Sequence, residues 1–175
     1  MRAHRARERA MSSVTGTFAV PATTIAARLL LTQGDSRPGH IFVMERVPQH
    51  DGPETVLEML NREEGFFAFK PDQSEGQSGE DLLLIAKSNT VSVALDRQAP
   101  ISDPARLSAA KMAGLELVLA GGQELAGWAS IELPPQHSRL LDYLNSARAA
   151  FFTVWTHAAT HHINPAHVLY ARPLD

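Results

Sequence analysis

Leu57-Glu58-Met59-Leu60-Asn61, followed by Phe66-Phe67, returns later in the chain as Leu141-Asp142-Tyr143-Leu144-Asn145, followed by Phe151-Phe152. An internal repeat sets the architecture before any single motif can be interpreted. Working outward, one constant shift carries Leu29, Leu31, Gly34 and Gly39 onto Leu117, Leu119, Gly122 and Gly127 without a gap. The helical blocks and the Phe pairs register at slightly shorter shifts, so the differences in length fall between matched blocks, where loops absorb insertions. Near the end of each unit, Ile85-Ala86-Lys87-Ser88-Asn89-Thr90-Val91 corresponds to Ile163-Asn164-Pro165-Ala166-His167-Val168, and each leads into a closing strand. The chain therefore divides into a basic lead-in (1–25), a first unit (26–96), a linker with a short helix starting at Asp103-Pro104 (97–112) and a second unit (113–175).

Composition narrows the classes open to such a chain. Each unit has about 60 to 70 residues, near the lower limit for a self-sufficient core, so the two units are expected to share an interface. The sequence contains no cysteine, which excludes disulfides, thiolate metal sites and a cysteine nucleophile. No apolar run approaches the roughly 20 residues that span a bilayer, and a cytoplasmic location without membrane association is the expectation. The formal net charge is −3. Arg2, Arg5, Arg7 and Arg9 against Glu8 give the first eleven residues +3, leaving −6 on the rest. An acidic body of this kind disfavours a large nucleic-acid surface, even with a basic arm attached.

Within each unit the pattern predicts strand, strand, helix, strand, strand, tight turn, strand. Leu29 to Leu31 and His40 to Met44 form one hairpin, and Leu115 to Leu119 with Trp128 to Leu133 forms its counterpart around Gly121-Gly122. Gly127 marks a bulge or a close approach of backbones. Val56, Leu57 and Leu60 fall on one helical face, as do Leu140, Leu141 and Leu144. Pro53 suits the first helical position, Ser138 suits a cap, and Asn61 and Asn145 suit a helix end in the left-handed conformation. Adjacent phenylalanines in a strand point to opposite faces, so one of each pair enters its own core and the other covers the helix or meets the neighbouring unit.

Five short strands with a helix at one end pack economically as a small closed barrel. The expected fold is mainly β with short helices (β+α): two tandem SH3-like/Sm-like small β-barrels, each with one helix between its second and third strands. The glycine turn, the Leu-Asn ending of the short helix (Leu60-Asn61, Leu144-Asn145) and the following Phe-Phe strand resemble an uncharacterised bacterial small-barrel domain family, in both units. That resemblance implies a tandem repeat of the barrel and no particular activity.

The chemistry-bearing residues cluster in the second unit. His157, His161, His162 and His167 have metal-binding side chains, and two histidines four apart share a metal when helical. The repeat instead places the run in a connection between strands, with no acidic residue inside it, so a solvated loop is the favoured reading and no cofactor is expected. His137, Ser138 and Asp142 supply the residue types of a nucleophilic triad, but Ser138 is better explained as a cap. Glu63-Glu64 reads as a solvated turn. Base stacking on Phe66-Phe67 or Phe151-Phe152 would need interleaved cations, and only Lys70 and Arg148 lie near. Trp128 replaces His40 and Trp155 lies on the strand of the second Phe pair, so only the second unit has tryptophans and most of the histidines, and Trp128, Trp155 and His157 form the candidate ligand-binding group. The expected function is a non-enzymatic protein-binding or regulatory module with a protein partner; the alternatives are an Sm-like nucleic-acid-binding protein and a small His-dependent metal protein or enzyme.

Overall fold

The computed structural model describes residues 22–72, 82–96, 111–131, 139–146 and 149–174. The repeat takes shape as two sets of five strands. The first set is β1 (Ala22–Leu31), β2 (Ser36–Met44), β3 (Phe66–Pro71), β4 (Leu83–Ala86) and β5 (Thr90–Asp96). The second is β6 (Lys111–Leu119), β7 (Glu124–Ile131), β8 (Phe152–Trp155), β9 (Ala159–Ile163) and β10 (Val168–Leu174). A short helix, α1 (Val56–Asn61) or α2 (Leu140–Ser146), separates the second and third strands of each set. A 3-10 turn, Lys87–Asn89 or Pro165–His167, separates the fourth from the fifth.

All ten strands among the described residues belong to one antiparallel sheet, in the order β10-β6-β7-β8-β9-β5-β1-β2-β3-β4. The expected β+α fold of two SH3-like/Sm-like closed barrels, each with a helix, is therefore incorrect. The reason lies at the centre of the sheet, where β5 pairs with β9 from Ser92↔Ile163 to Asp96↔Ala159. A strand has two hydrogen-bonding edges. β5 uses one on β1 and the other on β9, so nothing remains on it for closing the first set on itself. The two sets merge into a continuous open sheet whose end strands are β4 and β10.

Local chemistry accounts for the matched elements. The β1–β2 and β6–β7 turns are closed by the same bonds: Gly34 N–H donates to Leu31 O and Leu31 N–H to Asp35 O, as Gly122 does to Leu119 O and Leu119 to Gln123 O. Gly34 and Gly122 have φ of 85° and 80°, a region that penalises side chains. Gly39 and Gly127 answer a different need. A Cβ on Gly39 would collide with Lys70 O, and one on Gly127 with Trp155 O, so both strands cross their neighbours at a distance only glycine permits. Both fifth strands slip by one residue against their first strands, β5 between Thr90 and Ser92 and β10 between Val168 and Tyr170.

Helix α1 starts at Thr55, whose hydroxyl accepts from Glu58 N–H while Glu58 bonds back to Thr55 N–H. This reciprocal capping box makes Thr55, not Pro53, the residue that begins the helix. Asn61 does not take the left-handed conformation: among the described residues only glycines have positive φ. The expected linker helix at 97–112 and the Ser138 cap fall outside the described residues, apart from Lys111 and Met112, which open β6.

Two cores lie along the sheet, and each borrows from the other set. Leu29, Ile41, Leu60, Phe69 and Val93 form the first, joined by Phe151 from the second set. Leu115, Leu117, Phe152 and Val154 form the second, joined by Val91 from the first. At roughly 1.5–3 kcal/mol for each fully buried large apolar side chain, this exchange ties the two units together.

Candidate functional site

Trp128 and Trp155 stand opposite each other on β7 and β8, and the His157 ring meets Trp128 edge-on at 4.9 Å and 79°. The three residues singled out for ligand binding thus share one surface of the second unit. The four candidate metal ligands are dispersed. His157 lies in the bend between β8 and β9, as expected of a connection, but His161 and His162 lie on β9, so most of the histidine run is a strand. The His167 ring bonds Ser88 O at 2.7 Å across the two units. Among the described residues no three His, Asp or Glu side chains are grouped to hold a metal.

His162 is buried and its Nδ1 lies 3.1 Å from Thr153 Oγ1. Burial, reinforced by His161, pushes its pKa down from 6.5 to about 4. Burial also lowers His161. Of the remaining candidates, Asp142 pairs with exposed Arg139 at 3.0 Å and Glu63-Glu64 is exposed. His137, Ser138 and Arg148 lie outside the described residues.

The best-built polar arrangement is one that sequence reading passed over, and it lies where the two units meet. Asn61, at the end of α1, donates from Nδ2 to Phe151 O at 3.0 Å and accepts Phe151 N–H on Oδ1 at 2.8 Å. One side chain thereby satisfies both backbone groups of a residue whose own side chain is 1% exposed in the first core. The end of α1 is held for this task. Buried Lys87 donates from Nζ to Met59 O at 3.0 Å and to Arg62 O at 2.9 Å, supplying the donors that helix C-termini lack. Buried Glu54 accepts from Met44 N–H at 3.0 Å and from Arg62 Nη2 at 2.7 Å. Beside the clamp, Asn164 donates from its backbone to Val91 O at 3.0 Å and from its side chain to Lys87 O at 3.2 Å.

The two ends of the sheet offer a contrasting surface. At the β4 end, Phe66 and Leu84 are exposed; at the β10 end, Leu169, Tyr170 and Leu174 are. A shallow cleft of about 350 Å³ between the two glycine turns is lined by Leu30, Gly34, Ser36, Ala120, Gly121, Gly122 and Gln123, with no acid or base to do chemistry there. Among the described residues no helix is long and apolar enough to cross a membrane. No protein-family model, curated protein or solved structure matches the chain.

Asn61→Ala should cost about 1–3 kcal/mol in urea unfolding, because it strands a buried amide and carbonyl. Its repeat counterpart Asn145→Ala, an exposed site, should stay within about 0.5 kcal/mol in the dilute protein. Equal losses in the two variants would contradict the clamp. A second outcome concerns acid. Because folding holds His162 at about 4, below its free value of 6.5, the unfolded chain binds the proton first. Stability from the neutral ring is complete above about pH 6.5 and is lost toward pH 4, at up to ~1.4 kcal/mol per pH unit. His162→Gln should flatten that stretch of the stability–pH curve; an unchanged slope would refute the assignment.

Proposed function

We propose that the protein is a non-enzymatic binding module that recognises other protein through the ends of its sheet. The observation that carries this reading is the coincidence, at each end, of an end strand with large exposed apolar side chains: Phe66 beside Leu84 at β4, and Leu169 with Tyr170 on β10. An end strand presents a row of N–H and C=O groups that adds readily to another extended chain, and folded proteins ordinarily blunt such edges with charge or cover them. Here β4 carries no charged residue, reading Leu-Leu-Ile-Ala. Strand addition takes its affinity from main-chain bonds and its selectivity from alternate side chains, and the leucines on these edges, with Tyr170 on β10 and Phe66 on neighbouring β3, suit an apolar extended segment.

The Trp128–Trp155–His157 surface supports a second, smaller contact. Tryptophan half in solvent combines an apolar body with an N–H donor, as interfaces use it. The sheet ends are favoured because both backbone and side chains are available there.

Replacing Leu84 or Leu169 by a photo-crosslinking phenylalanine analogue tests the reading in the native host. Discrete protein adducts are expected from both edge positions and none from Glu124, an exposed position at the β6–β7 turn. Adducts of the same pattern from Glu124, or none from either edge, would overturn it.

A further inference from the structure

The internal junction is a template for what the sheet ends bind, and we propose that the occupant is a second copy of this chain, joined head to tail. This rests on the reading of the sheet ends as binding edges and names their partner. The junction pairs a fifth strand, β5, with a fourth strand, β9. What remains with one edge open at the two ends of the sheet is the other fourth strand, β4, and the other fifth strand, β10. The end surfaces are therefore the two halves of the same contact, one at each end of one molecule.

The side chains follow the same logic. Two buried residues cross the junction into the opposite core: Phe151 into the first, at 1% exposure, and Val91 into the second, at 0%, with half-buried Leu30 packed beside the latter. Their repeat counterparts are Phe66, aligned by the Phe pairs, and Leu169, aligned by the 3-10 turn and the strand slip that follows it. Phe66 is 62% exposed and Leu169 64% exposed. Each is a large apolar residue in solvent at the place where its twin is buried. The clamp residue repeats too: Asn61 grips Phe151, while its counterpart Asn145 is exposed. In the head-to-tail contact β10 pairs with the partner's β4, Tyr170 opposite the partner's Ile85 and Ala171 opposite the partner's Leu84. The partner's Phe66 enters the second core and Asn145 takes its backbone.

The copy is weaker than the template, in ways that can be named. Pro173 stands where β5 has Leu95, which pairs with Thr160, and proline has no N–H to donate. Ala86 stands where the junction has Asn164, so the side-chain bond to a carbonyl is lost. The association is therefore concentration-dependent, whereas the internal junction is made permanent by the chain. A contact between unlike surfaces closes into a ring when its rotation permits and extends as a filament when it does not.

Sedimentation velocity on the untagged full chain, from micromolar to submillimolar, tests this. The expected mass rises with concentration above the 19.1 kDa of one chain. Leu84→Lys and Leu169→Lys, both at exposed positions, should each leave thermal unfolding unchanged and hold the mass at one chain. Mixed together, they should give a dimer and nothing larger, because each retains the half the other lacks. A constant mass of one chain at every concentration would overturn the proposal, as would association that survives both variants. Edge adducts to a different protein from a chain that stays monomeric would defeat this inference and leave the binding-module reading standing.

Discussion

The pairing of β5 with β9 is the constraint from which the rest of this structure follows. It takes the second edge of β5, keeps either set of strands from closing, and turns two short repeats into one open sheet. Hydrogen bonds between strands would not alone make such a seam rigid, since each contributes only about 1 kcal/mol net. The exchange of Phe151 and Val91 between cores adds the apolar burial. Asn61 then satisfies the backbone of Phe151 at the point where a buried, unpaired amide would be costly. The Lys87 and Glu54 contacts around the end of α1 hold that asparagine in place.

Much of the pattern was legible in the sequence because it is local. The glycine turns, the order of elements, and the division of labour within Phe151-Phe152 follow from backbone freedom and the two-residue period of strands. The capping box is equally legible, since Thr55-x-x-Glu58 precedes an apolar run, while Pro53 two residues earlier mimics a helix start. On α2 the buried face uses Tyr143 beside Leu140 and Leu144, with Leu141 in solvent. At about 100° per residue Leu140, Tyr143 and Leu144 fall within one narrow arc of the helix and Leu141 lies outside it.

The open sheet and the role of Asn61 escape the sequence pattern for a common reason. Both features belong to the seam between the units, which no single unit's pattern contains. Whether a fifth strand closes its own unit or pairs with a neighbour depends on contacts far apart in sequence. The recurrence of Asn61 and Asn145 fitted a helix stop, yet the C-cap residue after Asn61, Arg62, is extended with φ of −64°, and the side chain of Asn61 is what the seam uses. In the histidine run only His157 and Ala158 form a connection; the remainder belongs to β9, with His162 packed neutral beside Thr153.

A seam of this kind makes the two repeats one cooperative unit, and native-state hydrogen exchange on the full chain measures that most directly. The amides of Val93 on β5, His162 on β9, Leu29 on β1 and Leu117 on β6 should all exchange with the free energy of global unfolding. Exchange of the β6–β10 amides through a cheaper opening that leaves β1–β5 protected would contradict an interlocked sheet and describe two units merely side by side.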